Sequence, residues 1–256
     1  GASYMGITGL LAGAQEDPAV KAIFAIVPMG DAYRDIVFTG GQINAGFIPL
    51  WVTLVTGLGI IPTPAGLDNN EPGYYLNTTL QHLQGALTEF QVPVVAGALI
   101  GDENKYDTEF WRVRSPLEQI DKITAPTFVV GGLNDIFQRG EPLIYEGLKD
   151  HTTAKLLIGP WEHLDGSSGA GLPADGVPAL STIRLAWFDQ YLKGMDSGAG
   201  DYPPVTQYYT GEERYVTAAD WPHPEAKAET FFLHGQPGAP LFGSISPNAP
   251  VTNKQT

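Results

Sequence analysis

The hydrophobic positions fall into short continuous runs separated by stretches of helical period. "KAIFAIVP" (21–28) is apolar, rich in Ile, and closed by Pro28, which predicts a strand buried on both faces of a parallel sheet. "TFVVGG" (127–132) predicts a second strand, 127–131, ending in a Gly-Gly turn after the Pro126 start signal, and "AKLLIGP" (154–160) a third. Between them, residues 4–14, "EPLIYEGLKD" (141–150) and "ALSTIRLAWFDQYLKG" (179–194) predict helices, the last stopped by Gly194. Strand, helix, strand, helix at this spacing indicates βαβ units, so the fold class is α/β with a parallel sheet.

Two regions depart from that rhythm. Residues 40–115 hold helical patches, among them "NTTLQHLQGALTEF" (77–90) with Asn77 as N-cap candidate. "VPVVAGALIGD" (92–102) fits a strand or a buried helix equally. No charge occurs between Asp35 and Asp68, and "AGFIPLWVTLVTGLGIIP" (45–62) approaches the length of a membrane span. Pro49 and Pro62 bracket it, Gly57 and Gly59 interrupt it, and no Lys or Arg anchors its ends. A buried or cap helix is therefore expected, and no membrane partner. After "GMDSGAGDYPP" (194–204) the chain turns to aromatic and threonine-rich strand patterns, then to a Gly, Pro and Ser-rich tail, so a boundary is expected near 200–204. The expected parts are a core segment 1–39, a helical segment 40–115, a second core segment 116–200 and the start of a β unit at 201–256.

Composition narrows the function classes. At 43% hydrophobic residues the chain can bury a core. Lys and Arg number 14 against 28 Asp and Glu, and no basic run exists, which excludes a nucleic-acid partner. The absence of cysteine removes disulfides and thiolate chemistry. No metal-ligand spacing or phosphate-cradling glycine motif occurs, so neither metal nor cofactor is expected. Compartment and oligomeric state stay open.

The candidate chemistry starts at the first residues, "GASYMG". A serine on a tight turn before a helix exposes its hydroxyl beside free backbone N–H groups. Ser3 fits, with Gly1 needed where a side chain would crowd the turn. The usual second glycine is displaced by one, to Gly6. A serine nucleophile needs a base, and the base an orienting carboxylate. Asp31, Asp102 and Asp135 follow strand-like runs, and His163 is the one histidine after a convincing strand, in "KLLIGPWEH". Asp135 is the better acid, because its strand immediately precedes the one leading to His163. The order Ser, Asp, His is that of α/β-hydrolases. Singly, Asp135 reads more readily as a helix cap and His163 as a loop histidine; it is the joint order that favours a triad. Asp31, Tyr33, Arg34 and Asp35 form a polar cluster that reads either as a surface pair or as an anchor for the helical segment. Phe47, Trp51, Phe137 and Trp161 are candidates for an apolar substrate pocket, with Phe47 and Trp51 equally plausible as core.

These segments together resemble the cocaine esterase and X-prolyl dipeptidyl-peptidase family, which includes α-amino-acid ester hydrolases and cephalosporin acylases. "GASYMG" is similar to its Gly-x-Ser-Tyr-x-Gly elbow, "FWRVRSPLEQIDKITAPTFVVGGLND" to the approach to its acid, and "LLIGPWEH" to its Gly-Pro-Trp-x-His motif. "AWFDQYLKG" resembles the helix closing the hydrolase domain, and "YYTGEERYVTAADWP" the opening of a C-terminal jelly roll. The resemblance implies Ser3 as nucleophile, Asp135 as acid, His163 as base and the Tyr4 N–H as an oxyanion donor. It implies an α/β-hydrolase sheet with a helical cap at 40–115 and the start of a jelly roll. It also implies that an elbow strand and a second donor, a tyrosine hydroxyl, lie before Gly1; the sequence is thus expected to be a fragment, and a poor enzyme alone. The α-amino-acid ester hydrolases carry an acidic pair after the acid. Phe137 and Gln138 stand there instead, which points to an uncharged acyl group, Phe137 supplying an apolar wall. The expected function is ester or amide hydrolysis on a small molecule or short peptide, with an X-prolyl dipeptidyl-peptidase or a non-catalytic binding domain as alternatives.

Overall fold

The computed structural model describes residues 1–64, 71–168, 171–236 and 239–249. Its centre is a five-stranded sheet in the order β1 (Ile23–Ile26), β2 (Thr127–Asn134), β3 (Ala154–Glu162), β4 (Val205–Tyr209), β5 (Arg214–Ala218). The first four strands are parallel and β5 returns antiparallel to β4.

The continuous apolar runs are explained by cover on both faces. Ile23, Ala25, Val129, Leu156 and Ile158 point to one side, where α1 (Tyr4–Gly13) contributes Leu10 and a helix at Gly140–Leu148 contributes Ile144, Tyr145 and Leu148. Phe24, Ile26, Phe128, Val130 and Leu157 point to the other, against Leu180, Ile183 and Trp187 of the helix Leu180–Lys193. Side chains alternate across a strand, so a strand apolar at every position needs helices on both sides. Trp187 is buried there and donates its indole N–H to the Ile23 carbonyl at 3.0 Å. Gly194 ends that helix in the left-handed region, φ 67°, as the stop signal requires.

Strand β2 does not stop at its glycines; it runs through Gly131 and Gly132 to Asn134. The pair is there because neighbours approach closely. A Cβ at Gly131 would collide with the Glu141 carboxyl, and one at Gly132 would lie 2.6 Å from the Trp161 carbonyl oxygen. Backbone cannot yield as a side chain can, so Gly132→Val is expected to lower unfolding free energy by about 2–3 kcal/mol. Chemical denaturation checks this; a change within about 0.5 kcal/mol would show that the strand moves aside.

Among the described residues of 40–115 the main elements are helices: α2 (Ile48–Ile60), α3 (Pro72–Thr88) and α4 (Gln91–Ile100). The helix expected at 77–90 begins at Pro72, a residue suited to a first turn, so Asn77 is interior and not a cap. The ambiguous run 92–102 resolves as helix up to Ile100, stopped by Gly101 at φ 86°. No helix among the described residues is long and apolar enough to cross a membrane. Nor is α2 buried: Leu50, Leu54 and Leu58 form an exposed stripe, and Leu76, Leu80, Leu83 and Leu87 another on α3. The polar cluster after β1 ties to this region. Arg34 pairs with Asp31 and with Asp107, both at 2.6 Å, and the Tyr33 hydroxyl donates to the Lys105 carbonyl at 2.7 Å.

The chain divides into compact units at Gly1–Trp221 and Pro222–Thr256. Strands β4 and β5, which the sequence assigns to an appended unit beginning at 201, thus extend the main sheet. The second unit contains an antiparallel pair, β6 (Phe232–Gln236) and β7 (Ala239–Ser246).

Candidate active site

The serine turn is built on β1. Gly1 and Ala2 lie parallel beside it: the Ile26 N–H donates to the Gly1 carbonyl and the Ser3 N–H to the Ile26 carbonyl, each at 2.9 Å. Extended backbone therefore does lead into Ser3. The chain then reverses into α1, with Ser3 at φ 54°, ψ −129°, a conformation that costs a non-glycine residue about 1–3 kcal/mol. Both flanking glycines are needed for this reversal. A Cβ on Gly1 would lie 2.6 Å from the Met5 backbone, and one on Gly6 3.1 Å from the Gly1 carbonyl. The displaced glycine thus seats the helix against the strand. Val27, the residue after β1, is also strained, at φ 43°.

Asp135 follows β2 and His163 follows β3, so both sit at the carboxyl edge of the sheet with Ser3. His163 Nε2 is 2.9 Å from Ser3 Oγ, and Nδ1 is 2.7 Å from Asp135 Oδ2. The geometry matches a hydroxyl donating to Nε2 while Nδ1–H donates to the carboxylate. Asp135 is 2% exposed, and its second oxygen accepts from the Phe137 N–H at 2.5 Å. The Asn134 side-chain amide donates to the Pro160 carbonyl at 3.1 Å, joining the acid loop to the histidine loop. The Tyr4 N–H lies in the first turn of α1, where a helix has no internal acceptor for it.

Glu141 lies behind the acid, 1% exposed, its Oε2 accepting from the Gly132 N–H at 3.0 Å. Burial, and then the charge of Asp135, push its carboxyl well above the usual range. A raised acid binds its proton more tightly folded than unfolded. Stability is therefore fullest below about 4.5, the unfolded value, and declines as pH rises toward the folded one, by about 1.4 kcal/mol per unit. Glu141→Gln carries no such proton. Its melting temperature is expected to overtake the wild type's progressively as pH rises, and a constant difference between weakly acid and weakly alkaline buffer refutes this.

The structure brings Ser3, His163 and Asp135 together, with Phe137 edge-on to the His163 ring, centroids 5.0 Å apart and planes at 84°. The other pocket candidates each have packing partners of their own. Trp161 is buried in the sheet core with Phe24, Ile26 and Val27. Phe47 and Trp51 stack on each other, centroids 5.7 Å apart, at the start of α2. An apolar cavity of about 230 Å³, lined in part by Phe128, Leu157, Val177 and Ile183, contains none of the three. Sequence reasoning passed over Glu141 and Arg139. An acid in the first turn of a helix reads as a surface residue favoured by the helix dipole. Only the fold turns it inward, while Arg139 pairs with the buried Asp35 at 2.6 Å. Burial raises Asp35 and the Arg139 bond opposes the rise.

A mainly parallel sheet covered by helices on both faces, with serine, carboxylate and histidine in that chain order at its carboxyl edge, defines a protein of the α/β-hydrolase type. A family model described as X-Pro dipeptidyl-peptidase (S15 family) matches residues 1–165, and the chain belongs to that family. It is 25% identical over 260 residues to the cocaine esterase of Rhodococcus sp. (strain MB1 Bresler), covering 93% of this chain and 44% of that protein. Among solved structures it is similar to an α-amino acid ester hydrolase, with a TM-score of 0.64 at 21% identity over 99% of this chain and 43% of that one. It is also similar to a CocE/NonD family hydrolase from Staphylococcus aureus, with a TM-score of 0.59 at 17% identity over 91% of this chain and 36% of that one. The chain thus spans less than half the length of these relatives.

Proposed function

We propose that this chain carries the nucleophile, base and acid of a serine hydrolase that cleaves carboxylic esters or amides. The observation that carries the reading is the unbroken hydrogen-bonded series Ser3–His163–Asp135. His163 Nε2 takes the Ser3 proton as Oγ attacks the carbonyl carbon. The carbonyl electron pair moves onto oxygen, which the Tyr4 N–H meets at the positive end of α1. His163 returns the proton to the leaving alcohol or amine as the carbon–heteroatom bond breaks, leaving the acyl group on Ser3. Water, activated by the same imidazole, then releases the acid. Asp135 holds the Nδ1–H tautomer and balances the imidazolium charge. Phe137 and Gln138 beside Asp135 supply no negative charge for an α-ammonium group, which supports an uncharged acyl substrate.

Peptide hydrolysis after an Xaa-Pro pair is the second reading, favoured by the family description. The full natural chain, offered p-nitrophenyl acyl esters and Xaa-Pro p-nitroanilides, is expected to turn over the esters with the higher kcat/KM. The reverse ranking favours the peptidase. No turnover of either, together with no labelling by a fluorophosphonate, leaves a binding domain on a hydrolase fold. We also read residues 40–115 as a cap over the site, a reading supported by the Arg34–Asp107 and Tyr33–Lys105 ties. The β6–β7 pair is read as the opening of a jelly-roll unit.

A further inference from the structure

The Glu141 carboxyl is built into the fold at three points. Its Oε2 accepts the Gly132 N–H, at the turn whose carbonyl in turn accepts the Asp135 N–H at 3.1 Å. Gly131 is a glycine where a Cβ would occupy the carboxyl's own space. Its second oxygen, Oε1, is sealed from solvent and meets no donor, while the carboxyl lies within hydrogen-bonding reach of that of Asp135. Two carboxyls that share a dry site and face each other cannot both be ionised; a proton between them resolves both the repulsion and the orphaned oxygen.

We propose that Glu141 is a positioning residue for the triad acid: it is carried in the fold as the neutral carboxylic acid and donates its Oε1 proton to Asp135, adding a fourth member to Ser3–His163–Asp135. This rests on the triad reading above. The proton lies on Glu141 and the charge on Asp135, because Asp135 also receives the Phe137 N–H and His163 Nδ1–H, both of which favour its ionised form. The charged groups around the pair favour the same assignment. Asp35, from the turn after β1, adds negative charge and is itself bonded to Arg139. Lys155 of β3 is bonded to the Gly200 and Tyr202 carbonyls, and Glu118, Asp121 and Lys122 of the packed segment 116–122 are exposed. By spreading the Asp135 charge, the donated proton weakens the carboxylate's hold on the imidazolium. His163 is then freer to give up the proton it has taken, and the carboxylate is fixed against rotation.

The test compares Glu141→Gln with Glu141→Met in the full natural chain. Glutamine keeps a donor toward Asp135 and an acceptor for Gly132; methionine fills similar volume with neither. Glu141→Gln is expected to stay within about threefold of wild-type kcat with an unmoved acid limb of kcat/KM against pH, the rescue a conservative variant should give. Glu141→Met is expected to lower kcat by about tenfold or more with little change in KM. Its acid limb should move to higher pH, as the Asp135 carboxylate regains its full hold on the imidazolium. Independently of activity, the wild type should show an infrared carboxylic-acid carbonyl band at neutral pH that is missing from Glu141→Gln. If that band is unchanged by the substitution, or both variants move the acid limb alike, or Glu141→Met matches the wild type, the proposal falls. Should Glu141→Met not fold, the infrared band decides. A Ser3→Ala control separates the two failures: retained activity there overturns the triad reading, while the infrared comparison still tests the proton.

Discussion

Ser3→Ala in the full natural chain is expected to lower kcat for an acyl ester by at least about 10⁴-fold, to leave KM within a few fold, and to abolish labelling by a fluorophosphonate. On the proposed reading the loss is that large because the other groups act through Oγ. Without it, His163 has no proton to take and the Tyr4 N–H no covalent intermediate to stabilise. The residual rate would come from binding and oxyanion stabilisation alone. Stability offers an independent check, since Ser3 sits at φ 54° and ψ −129°. Alanine keeps the Cβ that makes this conformation costly, so Ser3→Ala should melt near the wild type. Ser3→Gly removes it and should be more stable by about 1 kcal/mol or more while equally inactive. Strain at one catalytic position would then be read as two separable effects of one side chain. Activity above a tenth of wild type in Ser3→Ala would place the nucleophile elsewhere.

The sheet was legible in the sequence because its strands are buried on both faces, and a run such as "IFAI" has no amphipathic competitor of that length. The three side chains that the structure brings together, Ser3, Asp135 and His163, could be picked out because Asp135 and His163 each follow such a run. Where the sequence misled, local signals were overruled by neighbours distant in the chain. Gly131 and Gly132 carry turn composition, yet they are strand residues that make room for Glu141 and Trp161. Asn77 has cap chemistry, but Pro72 opens the helix a turn earlier. Trp161 lies two residues before His163 but still within β3, where pleat alternation turns its ring into the core, while His163 starts the short helix beyond. Glu141 was invisible for the converse reason: its sequence surroundings are those of a surface acid, and its burial depends on the packing of that helix against β2.

Asp135→Asn is the second substitution expected to be nearly as severe, with kcat lowered by about 10³–10⁴-fold and the fold intact. The structure specifies how the amide must sit. Oδ1 accepts the Phe137 N–H at 2.5 Å, and a backbone donor cannot face an NH₂ group, so the asparagine oxygen is committed to that place. The NH₂ is then directed at His163 Nδ1, which must accept instead of donate. The ring's remaining proton moves to Nε2, the atom 2.9 Å from Ser3 Oγ, where a base is required. The imidazole is in place but in the wrong tautomer, and the charge that would balance its protonated form is gone. A proton resonance from Nδ1–H shared with Asp135 should accordingly be present in the wild type and missing from Asp135→Asn. A variant that kept this resonance, or lost less than tenfold in kcat, would show that the orientation of His163 does not depend on the carboxylate. Because the commitment of Oδ1 to Phe137 fixes the outcome, the backbone of the acid loop, and not the side chain at 135 alone, sets which nitrogen of His163 carries the proton in that variant.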